Sequence, residues 1–321
     1  MNNNKHTPEI IEMGINKNWT HVFFVVNPIV ALITKMIILN FKINPSNILI
    51  FSFRNTDLSL LDYNHVFVDY KHFDRYFEKL FFQSPSGKRI LRKIKTLKKP
   101  FLLYAPQAFR EVNYLLRSDI CMGHIYVEEG QLAYTKIKEF IPKQVSLLDN
   151  FLRNWRNRFN DKDEIGFYFR NDSSCYLGIT NDSFPEINQD KKYILQNINS
   201  VKKFYKPKLI GIENIGLTCA WRRLDRKNWS KMLKILIKEM NGEGVIKLHP
   251  SFTSSKKIEE DITKVFQKLE TKKIDICSND VNVELEMLYE RKEITGFQTS
   301  LSKYATIFGS DFNQLSYELI K

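Results

Sequence analysis

An apolar stretch near the start of the chain, HVFFVVNPIVALITKMIIL (residues 21–39), most constrains the fold. It is long enough to cross a bilayer as a helix, but an Asn-Pro step interrupts it. Proline lacks a backbone N–H and disfavours helical geometry in the residue before it, so one continuous helix is disfavoured. The stretch instead predicts a buried strand over 20–26, followed by a helix with Asn27 as its cap and Pro28 at its first position.

Short apolar segments and amphipathic segments continue to alternate along the chain. This alternation favours βαβ units and parallel sheets, so we expect an α/β fold with two Rossmann-like domains. The further predicted strands are 46–53, 65–70, 99–106, 123–129, 215–221, 244–250, 273–277 and 293–300. The clearest predicted helices are 226–240, 255–270, 282–291 and 301–309.

A polar stretch between about 150 and 204 carries the turn sequences NDKDE, NDSS and TNDS. It predicts an N-terminal domain over 1–155, an irregular connecting region over 156–204 and a C-terminal domain over 205–321. Two such domains would face a central cleft, where ligands bind at the carboxyl ends of the strands.

The charge favours anionic partners, because 49 Lys and Arg against 36 Asp and Glu leave a net charge of +13. No RNP, KH, helix-turn-helix or zinc-finger signature accompanies this charge, so we expect no nucleic-acid partner. The four cysteines are dispersed, which disfavours a zinc cluster or a disulfide framework and suits a reducing cytosol. The polar first residues do not resemble a signal peptide, and a cytoplasmic location is expected.

The basic segment GKRILRKIKTLKK (87–99) places Ile90, Ile94 and Leu97 on one helical face. Two interpretations stay open. The segment is either an exposed helix with a core-facing stripe, or a surface for peripheral contact with an anionic membrane or acidic glycolipid, such as the cytoplasmic face of the inner membrane.

Three polar motifs lie at the carboxyl ends of predicted strands: the acid pair of EEG (128–130), the His-Pro step of KLHP (247–250) and the hydroxyl pair of QTS (298–300). Each alone has an ordinary explanation, namely a solvated turn, a structural histidine and a helix cap. Together they combine a base for a hydroxyl, a proton or positive charge beside a leaving phosphate, and a phosphate cradle at a helix start. Gly130 would allow the sharp turn after the acids.

The segments YVEEG, VIKLHPSF and GFQTSLS, with the opening FFVVNPIVALITK, resemble the bacterial sialyltransferases of the GT-B fold. That group includes lipooligosaccharide and capsule sialyltransferases and polysialyltransferases. The resemblance spans most of the chain, although only these short segments are specific. It implies a GT-B-like fold and an inverting, metal-independent glycosyltransferase that moves sialic acid from its CMP form to a glycan hydroxyl.

The resemblance also implies roles for the catalytic residues. Glu128 would be the general base that deprotonates the acceptor, with Glu129 as the second candidate or as the orienter of the turn. His249 would be the general acid, or would stabilise the phosphate of the departing CMP. No metal and no cofactor besides the CMP-sialic acid donor is expected.

The implied donor-binding residues are Lys247, Pro250, Glu284, Thr299 and Ser300. Glu284 would hold the cytidine ribose, and the two hydroxyls would bind the CMP phosphate. The family usually has Ser where this chain has Thr299, and that change keeps the hydroxyl.

Other functions remain open on the sequence. The same fold could use CMP-Kdo or a CDP-polyol as donor. A basic nucleic-acid-binding or glycan-binding protein without activity is the non-enzymatic alternative. The acceptor is expected to be a bacterial surface glycan or glycolipid.

Overall fold

The computed structural model describes residues 7–52, 58–67, 85–106, 110–136, 173–219, 226–249, 252, 256–269, 273–278, 280–297, 299 and 301–320. The chain divides into two compact units, which we call unit 1 (Met1–Val201) and unit 2 (Lys202–Lys321). Each unit contains a parallel sheet with helices, which confirms the predicted α/β fold class. The division falls three residues before the predicted start of the second domain at 205.

Unit 1 contains a seven-stranded sheet in the order β3-β2-β1-β4-β5-β6-β7, and every neighbouring pair is parallel. The chain reverses its direction of winding between β1 and β4, as in dinucleotide-binding folds. The strands are β1 (Thr20–Val25), β2 (Ile48–Ser52), β3 (His65–Phe67), β4 (Phe101–Ala105), β5 (Cys121–Val127), β6 (Cys175–Gly178) and β7 (Lys192–Ile194). The helices described in this unit are α1 (Glu9–Asn16), α2 (Pro28–Asn40), α3 (Pro85–Lys95) and α4 (Arg110–Leu116).

The apolar stretch at 21–39 forms β1 and α2, as predicted. The Asn27 side chain accepts a hydrogen bond from the backbone N–H of Val30 at 2.9 Å, which caps α2. Lys35 is buried within α2, and its ammonium donates to the Tyr63 hydroxyl at 3.0 Å. Within the described ranges, no helix combines the length and the apolarity that crossing a membrane requires.

The predicted connecting region at 156–204 contributes to the sheet of unit 1 where the structure describes it. Strands β6 and β7 extend the sheet beyond β5, with Tyr176 paired to both Tyr126 and Lys192. These strands are only four and three residues long, and they lie among turn residues. The described part is therefore ordered sheet and turns rather than an irregular linker.

Unit 2 contains a five-stranded parallel sheet in the order β10-β9-β8-β11-β12, again with a reversal, here between β8 and β11. Its main core lies where helix side chains such as Trp229 and Leu236 pack with Ile246 and Phe297 of the sheet. The strands are β8 (Asn214–Leu217), β9 (Gly244–Lys247), β10 (Ile274–Ile276), β11 (Glu293–Phe297) and β12 (Asp311–Leu315). The helices described here are α5 (Trp229–Glu239), α6 (Lys256–Gln267), α7 (Val283–Tyr289) and α8 (Leu301–Ile307).

The basic segment at 87–99 forms α3 and the turn after it. Ile90 and Ile94 are 3% and 0% exposed, whereas Arg89, Arg92 and Lys93 point to solvent. This packing confirms an exposed helix with a core-facing stripe. Ile90 and Ile94 are buried in the core and cannot insert into a membrane. Contact of α3 with a membrane therefore stays a prediction that rests on charge alone.

Candidate functional site

The first candidate motif lies at the carboxyl edge of the unit 1 sheet. Strand β5 ends at Val127, and Glu128, Glu129 and Gly130 follow directly. Gly130 has a φ of 131°, a conformation that side chains with a Cβ rarely adopt. The predicted sharp turn after two acids is therefore present, and it requires the glycine.

The Glu128 carboxylate is 0% exposed and accepts hydrogen bonds at both oxygens. Oε1 accepts from the Tyr134 hydroxyl at 2.5 Å. Oε2 accepts from the Ser183 hydroxyl at 2.6 Å and from the backbone N–H of Ile179 at 2.9 Å. A buried carboxylate held in this way joins the end of β5 to the turn that follows β6.

The Tyr134 hydroxyl acts as a donor in this cluster. Burial, followed by the charge of Glu128, raises the pKa of Tyr134 well above its ordinary value. The phenol therefore keeps its proton at physiological pH and can donate it in the hydrogen bond to Glu128.

Glu129 differs from Glu128 because it is only half-buried. Its backbone carbonyl accepts a hydrogen bond at 3.0 Å from Nδ2 of Asn27, whose Oδ1 caps α2. Asn27 thus ties the acid turn to the start of α2. The sequence identified Asn27 as a cap, but a contact across 102 residues leaves no local signal.

The second cluster lies at the carboxyl edge of the unit 2 sheet. Strands β9, β8 and β11 are neighbours, and they are followed by His249, Thr218 and Thr299 respectively. Neighbouring strands lie about 4.8 Å apart, so these residues lie within two strand spacings along the edge. They surround the point where the sheet reverses its winding, which is where such folds bind ligands.

The backbone of His249 is fixed on both sides. Its N–H donates to the Thr218 hydroxyl at 2.7 Å, and its carbonyl accepts from the N–H of Phe252 at 2.8 Å. Phe252 itself is fully buried against Trp229. Sequence reasoning missed Thr218, because the predicted strand over 215–221 placed it inside the strand, whereas β8 ends at Leu217. Pro250 lies outside the described residues.

Lys247 and Glu284 come close together at the start of α7. The Lys247 ammonium donates to the Ser278 carbonyl at 2.9 Å. Desolvation lowers the pKa of Lys247, and nearby groups that include Glu284 oppose this shift. Desolvation likewise raises the pKa of Glu284, opposed by its own backbone and by Lys247. The structure therefore brings together two residues that were predicted to bind the donor.

An exposed ion pair borders these two residues. The ammonium of Lys208 lies 2.5 Å from an oxygen of Asp280, and the Ser278 hydroxyl donates to the other oxygen of the same carboxylate. The hydrogen bonds from Lys208 and Ser278 lower the pKa of Asp280 to about 2. The carboxylate therefore stays ionised at physiological pH and holds Lys208 beside the Lys247 site.

Thr299 lies at the start of α8. Its hydroxyl accepts from the N–H of Leu301 at 3.4 Å, and its carbonyl accepts from both the N–H and the hydroxyl of Ser302. These contacts are those of a helix cap, the ordinary explanation for a hydroxyl after a strand. Ser300 lies outside the described residues, so the phosphate-binding role of this pair stays a prediction.

The part of the chain that the structure describes brings no three His, Cys, Asp or Glu side chains together in a group that could hold a metal ion. Metal independence is a property of the reaction, and it stays a prediction.

No family model and no curated protein sequence matches this chain. Solved structures with low sequence identity do match it. MnaA of S. aureus in complex with UDP is 12% identical, with a TM-score of 0.54 over 93% of this chain and 80% of that chain. The UDP-GlcNAc 2-epimerase of Neisseria meningitidis, bound to UDP-GlcNAc, is also 12% identical, with a TM-score of 0.54 over 93% of this chain and 83% of that one.

A sialyltransferase from Photobacterium damsela is 13% identical, with a TM-score of 0.47 over 88% of this chain and 71% of that chain. At these identities, only similarities with higher TM-scores are informative, and they concern the fold alone. They confirm that the chain has a GT-B-like fold.

Proposed function

We propose that the protein is an inverting glycosyltransferase that moves sialic acid, or a related nonulosonic acid, from its CMP form to a hydroxyl of a bacterial surface glycan such as lipooligosaccharide or capsule. One observation carries the proposal: all three motifs follow parallel strands at the carboxyl edges of a GT-B-like pair of sheets. This is the edge at which α/β folds bind ligands.

The two acids divide the work of the first motif. We assign the general base to Glu129, because a half-buried carboxylate can reach an acceptor hydroxyl. Glu128 already accepts three hydrogen bonds and is fully buried, so it positions the turn. This assignment reverses the order favoured by the resemblance alone.

The second and third motifs bind the donor. Glu284, beside Lys247, would accept hydrogen bonds from the ribose hydroxyls. His249, fixed by Thr218, would donate a proton to the phosphate of the departing CMP or stabilise its charge. Hydroxyls at the start of α8 would complete the phosphate site. This chemistry needs neither a metal nor a cofactor, so chelators should leave the activity intact.

Nucleotide binding tests the proposal directly. CMP at 100 times its dissociation constant should stabilise the protein by about 2.7 kcal/mol, and the measurement is thermal unfolding with CMP, UMP and ADP in parallel. The Glu284→Gln variant should bind CMP more weakly and show a smaller thermal shift, because an amide accepts fewer hydrogen bonds from the ribose hydroxyls than a carboxylate does. Release of CMP from CMP-sialic acid, with and without candidate glycans, then tests the transfer itself. Absence of any CMP response would contradict the proposal.

A second candidate is an enzyme that acts on a UDP-sugar, since the two structures with TM-scores of 0.54 contain UDP or UDP-GlcNAc. Under this candidate, UDP would stabilise the protein more strongly than CMP. The thermal shifts with CMP and UDP decide between the two candidates.

A further inference from the structure

A pocket of about 410 Å³ lies on unit 2 between α5 and the end of α6, and we call it the lysine pocket. The ammonium-bearing side chains of Lys234, Lys238 and Lys268 lie around it, and all three are exposed. Its remaining lining is Ser230, Ile237 and Leu269, which are half-buried. Three positive charges therefore converge on one concave site that also offers a hydroxyl and two apolar side chains.

No acidic side chain on helix α5 is placed to pair with Lys234 or Lys238. Positions three and four residues on either side of Lys234 and Lys238 hold no acid, and the two lysines are themselves four residues apart. Such pairs repel each other on a helix surface. Lys268 likewise follows Lys264 by four residues. Neutral or paired side chains would be the more stable choice at these positions in the absence of a ligand.

No carboxylate is found among the described residues that line the lysine pocket, and no described acid forms an ion pair with its three lysines. Glu270 and Lys272 follow in the chain and lie outside the described residues. The positive charge of the pocket is thus uncompensated by the groups that the structure places there.

A second pocket of unit 2 shows what compensation looks like. It has a similar volume of about 470 Å³, and its single basic side chain, Arg291, pairs with Asp311 in the same lining. The positive charge of the second pocket is neutralised within its own lining, and that of the lysine pocket is not. The lysine pocket therefore differs in chemistry rather than in size.

We propose that the lysine pocket binds a phosphate-bearing anion. Three ammonium groups around a hydroxyl suit the spread oxygens of a diphosphate or of a phosphorylated head group, and the apolar lining would contact the carbon part of such a ligand. The ligand is either a soluble phosphorylated compound or the head group of an anionic phospholipid. This site is separate from the strand-end residues, so it does not depend on the proposed transferase activity.

Paired charge variants test this proposal. The pocket variant carries Lys234→Gln, Lys238→Gln and Lys268→Gln. The control variant removes the same charge at other exposed positions of unit 2, through Lys206→Gln, Lys256→Gln and Lys257→Gln. Pyrophosphate binding is measured by calorimetry at constant ionic strength. Vesicle binding is measured by co-sedimentation with phosphatidylglycerol mixed equally with phosphatidylcholine, against pure phosphatidylcholine.

We expect the pocket variant to bind pyrophosphate at least about tenfold more weakly than the control variant. If the natural source is a lipid, vesicle binding should fall on the order of 100-fold in the pocket variant, since each of the three lysines near an anionic surface contributes about fivefold to the affinity. Loss of pyrophosphate binding alone supports a soluble ligand, and loss of vesicle binding supports a lipid.

Equal behaviour of the two variants, or no binding of either probe by the unmodified protein, would overturn the proposal. Thermal unfolding of each variant serves as the internal reference. The unfolding temperature should not fall in either variant, because all the replaced side chains are exposed, and a fall in the pocket variant alone would report damage to unit 2.

Discussion

Units 1 and 2 each contain a glutamate that is 0% exposed and accepts three hydrogen bonds. Glu128 accepts from Tyr134, Ile179 and Ser183. Glu286 accepts from the Tyr205 hydroxyl at 2.5 Å and from the backbone N–H groups of Lys208 and Leu209 at 2.9 Å each. Each carboxylate holds a segment that is distant in sequence against the strand end or helix that carries the glutamate.

The two glutamates differ in their sequence context rather than in their own geometry. Glu128 stands in a motif that resembles a catalytic one, whereas Glu286 lies in α7 and has no such resemblance. The second environment reproduces the first around a residue with no catalytic resemblance, so full burial with three hydrogen bonds is compatible with a purely structural role. For this reason we propose Glu129, rather than Glu128, as the base.

The largest expected effect separates the neighbours Glu128 and Glu129. Glu129→Gln should lower turnover by about 10²–10⁴-fold, because it removes a proton acceptor, while the thermal unfolding temperature stays near that of the unmodified protein. CMP release from CMP-sialic acid measures the first, and calorimetry the second. A Glu129→Gln variant with full activity would return the base to Glu128.

Acid should affect unit 1 more than unit 2. The buried histidines of the described residues, His21 and His124, both lie in unit 1, and burial lowers the pKa of each to about 4. Between pH 6.5 and 4, these two histidines are protonated in the unfolded chain but stay neutral in the folded chain. The free energy of unfolding is therefore highest above pH 6.5. It falls as the pH drops from 6.5 towards 4, by up to about 3 kcal/mol for each histidine.

Hydrogen exchange followed by mass spectrometry, compared between pH 7 and pH 4.5 at matched chemical exchange, resolves the two units. Peptides from β1 and β5 should lose protection first. A matched control is His21→Gln, which should flatten the dependence on pH. Uniform loss in both units would show that these histidines do not govern acid stability.

The two fastening glutamates should respond alike to one change. Glu128→Gln and Glu286→Gln should each lower the free energy of unfolding by about 2–3 kcal/mol, since an amide cannot accept all the hydrogen bonds that the carboxylate accepts. Urea titration measures the loss. Exchange should rise locally at 179–183 in the first variant and at 205–209 in the second. A stable Glu128→Gln variant with a specific loss of activity would break the equivalence.

The smallest effect is expected at an exposed pair. Arg291→Gln removes the ion pair with Asp311, whose side chains are 71% and 60% exposed. Water screens such exposed pairs and they contribute little to stability, so the midpoint of unfolding in urea should hardly move. If Arg291→Gln lowered the free energy of unfolding as much as Glu286→Gln does, then the number of hydrogen bonds, rather than burial, would determine the contribution of a charged group to stability.

Local patterns predicted those parts of the molecule that depend on neighbours in sequence. The Asn27 cap, the glycine conformation at Gly130 and the long buried strands β1 and β4 follow from composition and periodicity. The short strands β6 and β7 were missed because three or four residues among turn formers show no period.

The candidate site was predictable only in outline. The positions of the motifs after strands could be deduced, but the saturation of Glu128 depends on Ile179 and Ser183, which lie 51 and 55 residues away. The bond from His249 to Thr218 likewise spans 31 residues. Tertiary contacts of this kind decide which of two adjacent acids stays accessible, and no local pattern encodes them.

Asn27 caps α2 with one atom of its amide and holds the carbonyl of Glu129 with the other. Aspartate could cap the helix but has no N–H to donate to the carbonyl, and serine has only one oxygen with which to make both bonds. Asparagine normally ages by deamidation, which begins when the next backbone nitrogen attacks the side-chain amide. Here the next residue is Pro28, whose nitrogen carries no hydrogen, and this route is closed. The Asn-Pro step thus protects, over the lifetime of the protein, the amide that makes both of these bonds.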